Sequence, residues 1–200
     1  MRVGIFGGSF NPVHSGHIFL AKHALAELNL DRVIFVPSFQ TPLKDPKKLF
    51  PAEIRLACLK TAIKKEERFL VSDYEIRKKG VSYTVDTLKY FHRQLGQKTM
   101  LYFLAGADTA KNLSRWKSPD KVLKLCRFAV FSRPGVSLNG NRQELLTVPF
   151  PALDISSSGI RKKLWAGKTL NNLVPDGVEN ALKQYKRKVL FSSIRKRKSP

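Results

Sequence analysis

The sequence predicts an open α/β fold, a parallel sheet with helices on both faces, and three observations carry that expectation. The apolar run Val3-Gly4-Ile5-Phe6 leads through a glycine-containing loop into the helical stretch 18–26. A second apolar run, residues 32–37, follows it. Strand, helix and strand at this spacing make a right-handed crossover between parallel strands. Residues 100–105 are apolar at every position, as a central strand buried on both faces must be.

Composition fits one domain with a real core. The chain has 200 residues, 42% of them hydrophobic, and its apolar runs are too short to span a membrane. The N-terminus opens directly into a strand with no secretory signal, so a cytoplasmic protein with no membrane partner is expected. Cys58 and Cys126 each sit inside an apolar pattern and read as buried, reduced thiols.

The formal charge is +22, from 37 basic and 15 acidic side chains. Such an excess suits either nucleic acid or small polyanionic substrates. Part of it lies at the end, in Lys183, Lys186, Arg187, Lys188 and Arg195-Lys196-Arg197-Lys198. That run reads as a solvated tail, residues 186–200, following a domain of residues 1–185, and nucleic acid is expected to meet the chain only there.

The first loop is the most informative stretch. Gly7 and Gly8 allow backbone amides to approach a ligand, Pro12 stiffens the turn, and a helix beginning near Ser15 or Gly16 aims free amides and its positive pole at the same point. A phosphate suits that point. His14 and His17, three residues apart at the helix entrance, are expected to face the anion as positively charged donors and not as metal ligands. No Gly-Lys-Ser/Thr follows and Gly-x-Gly-x-x-Gly is absent, which excludes a Walker loop and a dinucleotide fingerprint.

Further along, residues 37–46 carry three prolines and read as an ordered loop bordering the pocket, with Lys44 a candidate for a phosphate. Ile54, Cys58, Leu59, Ala62 and Ile63 make a helical stripe over 52–65. Residues 69–72 form a strand. A polar loop then opens a helix that Ser82 or Thr84 can cap, with Asp86 supporting its first turn. The central strand ends at Gly106-Ala107-Asp108, where Asp108 is expected to cap a helix and to contact ligand.

Trp116 stands among Ser114, Arg115, Lys117 and Ser118, so its ring is expected to be exposed enough to stack a ligand ring. Residues 128–131 and 145–150 read as strands, separated by a turn at Arg133 and a polar, glycine-containing segment, 135–142, expected to be mobile. Finally Ile155-Ser156-Ser157-Ser158 precedes a helix with Arg161 one turn in. Hydroxyls, free amides and a guanidinium together favour phosphate oxygens.

The block Gly7-Gly8-Ser9-Phe10-Asn11-Pro12-Val13-His14-Ser15-Gly16-His17 resembles the first signature of the HxGH nucleotidyltransferase superfamily, and in this fuller form it looks most like bacterial nicotinate-nucleotide adenylyltransferases. Ser82-Tyr83-Thr84 with Asp86-Thr87-Leu88, Gly106 to Trp116, Ile155 to Arg161 and Leu173-Val174-Pro175 resemble later blocks of that family, so the likeness runs to about residue 185. It departs at Leu43, where the family usually has a histidine before the lysine.

The resemblance implies a Rossmann-like sheet of the HxGH type and adenylyl transfer from ATP to nicotinate mononucleotide, giving deamido-NAD and pyrophosphate. It implies catalytic roles for His14, His17 and Arg161. ATP would meet Gly7, Gly8, Ser9, Phe10, His14, Gly16, His17, Gly106, Asp108, Arg133, Ile155, Ser156, Ser157 and Arg161. The mononucleotide would meet Lys44, Tyr83, Thr84 and Trp116, and Mg2+ would arrive with ATP.

The chemistry agrees. An anionic phosphate nucleophile needs alignment and charge stabilisation, not a strong base. Alternatives are a nicotinamide-preferring or phosphopantetheine adenylyltransferase, or a basic nucleic-acid-binding protein on an inactive nucleotide fold.

Overall fold

A computed structural model describes residues 1–42, 45–132, 145–151 and 153–197, with backbone alone over 192–197. Among these residues six strands form one sheet: β1 (Arg2–Gly8), β2 (Arg32–Pro37), β3 (Phe69–Val71), β4 (Met100–Gly106), β5 (Arg127–Ser132) and β6 (Leu145–Pro149). Their order is β3-β2-β1-β4-β5-β6 and every neighbouring pair is parallel. The direction of winding reverses between β1 and β4, so a crevice opens at the carboxyl ends of those two strands. The expected parallel sheet is therefore present.

The helices are α1 (Ser15–Glu27), α2 (Ala52–Ile63), α3 (Tyr74–Lys78), α4 (Thr84–Leu95), α5 (Ala107–Ala110), α6 (Pro119–Leu125), α7 (Ser157–Trp165) and α8 (Val178–Arg197). Alternation along the strands divides the core in two. Phe6, Phe35, Tyr102, Leu104 and Phe131 point to α1, α2, α7 and α8, and Ile5, Ile34, Phe103, Phe128 and Val130 point to α4 and α6. Both faces of the central strands are covered, which explains their near-continuous apolar sequences.

Several local expectations are corrected. The polar loop expected after β3 contains α3, held by an Arg77–Asp73 pair at 2.8 Å and by stacking of Tyr74 on Tyr90 at 3.8 Å. Neither Ser82 nor Thr84 caps α4. Tyr83 is the N-cap, without a side-chain bond, and the Ser82 hydroxyl instead accepts from the Phe39 amide at 3.1 Å. Asp86 does lie in the first turn of α4, as expected, and it also pairs with Lys78 at 3.2 Å and Lys117 at 3.8 Å.

Cys58 is buried, whereas Cys126 is only partly so; burial pushes the two thiols up to about 11 and about 12. The boundary read at residue 185 falls inside α8, which runs on as helix to Arg197. Segment 135–142 lies outside the described residues.

One interior residue is not apolar. Arg55, on α2, is 1% exposed and forms no ion pair within 4 Å among the described residues; it donates instead to four carbonyls, of Phe50 (2.9 Å), Ser9 (2.8 Å), Ser38 (2.7 Å) and Phe39 (3.1 Å). It ties the loops after β1 and β2 to α2. Arg55→Met removes every one of those bonds while keeping most of the stem's packing. The expected outcome is a loss of about 3 kcal/mol or more in unfolding free energy, measured by urea denaturation.

Candidate active site

The chain leaves β1 at Gly8 and turns sharply. Phe10 adopts φ 43, in the left-handed region, and its buried ring fixes the turn by packing edge-on to Phe6 at 5.4 Å and tilted on Phe35 at 5.8 Å. Asn11, 3% exposed, fastens the next residue. Its Nδ2 donates to the Lys48 carbonyl at 2.8 Å and its Oδ1 accepts from the Phe50 amide at 2.7 Å.

The serine and arginine segment then reaches this loop from a distance of about 150 residues in sequence. Arg161 Nη1 donates to the Asn11 carbonyl at 2.7 Å, and Ser157 Oγ donates to the Pro12 carbonyl at 2.9 Å. The two distant signatures are thus in direct contact.

At the start of α1, the His14 amide donates to His17 Nδ1 at 3.2 Å. In a neutral His17 ring that bond leaves the proton on Nε2, as a donor. The two imidazoles lie 3.7 Å apart, tilted by 32°. His14 is 8% exposed, burial lowers its pKa from 6.5 to about 4, and its Nδ1 has no hydrogen-bond partner among the described residues.

This corrects the expectation of two positively charged donors, because His14 is neutral at neutral pH. Gly16 is needed for the pair: a Cβ there would stand 3.1 Å from His14 Nδ1, tighter than an ordinary contact.

Two hollows open where β1 and β4 end. One, of about 630 Å³, is walled by His14, Gly16, His17, Gly106, Ser132, Ile155 and Ser157, with Phe10 reaching its edge. The other, of about 510 Å³, is walled by Glu75, Ser82, Tyr83, Thr84, Phe103 and Trp116. Gly7, Gly8, Ser9 and Asp108 line both, so the hollows meet over the glycine loop. A Cβ on Gly106 would find nothing within 4 Å, and the backbone there faces open space.

The remaining expected residues are placed as follows. Trp116 is half-buried: its indole packs edge-on against Phe103 at 5.6 Å and on Phe128 at 5.8 Å, so it closes the core as well as lining the second hollow. Lys117 Nζ lies 4.5 Å over the Tyr83 ring. Thr84 opens α4, whose N-cap Tyr83 makes no side-chain bond to the first turn.

Asp108 caps nothing. Gly106 is the N-cap of α5, and the Asp108 carboxylate stands in solvent at the common rim, 3.9 Å from Lys111. Ser156 caps α7 by accepting from the Gly159 amide at 3.1 Å, and neither it nor Arg161 lines a hollow. Lys44 and Arg133 lie outside the described residues, as does Leu43.

Sequence reading missed Glu75. This carboxyl is 7% exposed, accepts from Thr87 Oγ1 and is bonded by the Ser82 hydroxyl, and its pKa is raised, first of all by burial. It joins α3 to both ends of the α4 entrance. A charged residue in a stretch expected to be loop carries no periodic signal that would reveal its burial. Among the described residues no group of three His, Cys, Asp or Glu could hold a metal ion.

Residues 5–163 match the model of the cytidylyltransferase-like family. A protein named probable nicotinate-nucleotide adenylyltransferase from Clostridium tetani is 38% identical over 195 residues, 92% of this chain and 97% of that protein. One of the same name from Clostridium novyi is 41% identical over 186 residues, 88% of this chain and 92% of its own length.

Among solved structures, the Plasmodium falciparum nicotinic acid mononucleotide adenylyltransferase complexed with NaAD has a TM-score of 0.74 at 21% identity, covering 92% of this chain and 95% of that one. The same protein complexed with APC also gives 0.74, at 19% identity. At that identity the likeness establishes the fold.

The burial of His14 has a pH signature. A histidine whose folded pKa is depressed contributes stability that is present above its unfolded value of 6.5 and lost as pH falls through about 4. Relative to His14→Asn, the natural protein is expected to lose on the order of 3 kcal/mol across that window, read from urea denaturation at several pH values.

Proposed function

The chain belongs to the cytidylyltransferase-like family, among the nicotinate-nucleotide adenylyltransferases, and on that premise we propose how its two hollows join ATP to nicotinate mononucleotide. The reaction forms a bond from the mononucleotide phosphate oxygen to the α-phosphorus of ATP and breaks the bond from that phosphorus to pyrophosphate. Deamido-NAD and pyrophosphate result. The observation that carries the assignment is the meeting of the two hollows over Gly7, Gly8 and Ser9, with the histidine pair on one side and Tyr83, Thr84 and Trp116 on the other.

ATP occupies the hollow beside the histidines. The loop amides and the amino end of α1 take its phosphates, His17 Nε2 donates to an oxygen, and the unpartnered His14 Nδ1 provides a second polar contact. One nitrogen of Arg161 is held by Asn11, and although the side chain does not line the hollow, its remaining guanidinium nitrogens are assigned to the phosphates. Ile155 and Ser157 border the same hollow, with Gly106 and Phe10 completing its wall.

The mononucleotide occupies the other hollow. Its pyridine carboxylate meets the free amides at the start of α4, near Thr84, and Trp116 offers a ring face. Burial holds Glu75 toward its neutral form, which lessens repulsion of an anion at that helix end. An amide in place of the carboxylate gains less from a helix amino terminus, and this favours the acid.

Magnesium enters as part of the nucleotide substrate and neutralises polyphosphate charge. The exposed Asp108 carboxylate, an oxygen donor at the common rim, suits contact with that hydrated ion or with a ribose hydroxyl. No protein group is required to take a proton from the nucleophile. Rate comes from placing two anions in line among donors that are already oriented.

The test is pyrophosphate release from ATP with nicotinate mononucleotide, its amide or phosphopantetheine offered separately. Turnover with the acid is expected to exceed the others by about 100-fold; equal rates with the amide would overturn the acceptor assignment. His17→Asn is expected to lower kcat by about 10³-fold with little change in KM for either substrate, measured in the same assay. A change confined to KM would make His17 a binding group only.

A further inference from the structure

Among the described side chains of α8, the buried ones lie in its first half. Val178 and Leu182 are buried, and the half-buried Tyr185 sets its ring edge-on to Phe50 at 5.4 Å. These positions recur at helical spacing and define the inner stripe. Phe191 lies about 180° around the helix from Leu182. It is 67% exposed, and its neighbour Leu190 is 48% exposed.

A third large exposed apolar side chain lies on α7, the helix that Lys186 ties to α8. Trp165, 43% exposed, ends α7, and its carbonyl accepts from Lys186 Nζ of α8 at 3.1 Å. Exposed cations lie on the same two helices and just after α7: Lys162, Lys163, Lys168, Arg187 and Lys188. Residues 178–200 hold eight lysines and arginines against the single carboxylate of Glu179.

Among the described residues, neither core cluster takes in Leu190, Phe191 or Trp165. We propose that this outer face of α8, with Trp165, docks on an anionic phospholipid surface, the apolar side chains entering the headgroup boundary and the cations meeting lipid phosphates. A nucleic acid would reward the cations and leave the aliphatic side chain of Leu190 in water; a bilayer boundary accepts both. The contact is peripheral, since no described helix is long and apolar enough to cross a membrane.

It also leaves the active site free. Ser157 lies at the hollow end of α7 and Trp165 at the other, roughly 12 Å along the helix. A docked molecule therefore keeps its crevice open to substrates.

The full chain should co-sediment with vesicles of phosphatidylglycerol and phosphatidylcholine, and not with phosphatidylcholine alone. The double variant Leu190→Ser, Phe191→Ser should bind the anionic vesicles about tenfold more weakly, and Arg187→Ala, Lys188→Ala should do the same. Adenylyl transfer should be unchanged in both.

No preference for anionic vesicles, or equal binding by the serine variant, would overturn the proposal. So would an RNA oligonucleotide that binds tightly and whose binding, unlike that of vesicles, depends on Leu190 and Phe191. That result would make the face a nucleic-acid surface.

Discussion

Irregular backbone buried beside a ligand crevice must have its polar groups paired, and that constraint governs the whole region after β1. The loop from Ser9 to His14 is neither strand nor helix, and nearly all of it is buried. Its carbonyls cannot turn to water. They are met by side chains from elsewhere: Arg55 takes Ser9, Arg161 takes Asn11, and Ser157 takes Pro12. Since a buried unpaired carbonyl costs about 1–3 kcal/mol, these bonds decide whether the loop keeps one shape.

The same bonds explain why the two chemical segments meet. Ser157 and Arg161 share α7, whose Ile160 and Leu164 are buried in the core that also holds Phe6 and Phe10. Apolar packing brings the helix to the loop, and the hydroxyl and guanidinium complete the loop's hydrogen bonds. Arg161 is therefore structural through one nitrogen before it does any chemistry. Its pKa is lowered by desolvation, yet an arginine remains charged at any physiological pH, so a permanent cation sits on the Asn11 carbonyl of the same loop that ends at the neutral His14.

Much of this was legible in the sequence. The parallel strands followed from apolar runs, and the glycine loop with its histidines was found in the right place at the carboxyl end of β1. What escaped were features that depend on distant partners. Arg55 lies at helical spacing from Cys58, Leu59 and Ala62, so a cation on the apolar stripe was visible, but its four carbonyl partners come from three other segments.

Thr84 and Asp108 have the composition of caps. Tyr83 and Gly106 hold those positions because the preceding backbone sets where each helix begins. The charge state of His14 likewise follows from burial by packing, which no local pattern encodes. Trp116 lines a hollow, as its polar neighbours in sequence suggested, but the packing of Phe103 and Phe128 against one edge of its ring was not visible there.

The large positive charge is the last point where composition and structure separate. If attraction of ATP were its whole purpose, cations would crowd the nucleotide hollow; yet among its described lining residues the one lysine or arginine is Lys111, paired with Asp108. On the proposed reading the hollow relies on amides, imidazoles and hydroxyls, which bind an anion by orientation and add little field at a distance. The excess is spread over the helical surfaces, most densely on α7 and α8. On the proposed reading, steering of a polyanion and capture of it fall to different residues, and the geometry of the loop after β1 constrains the capturing set.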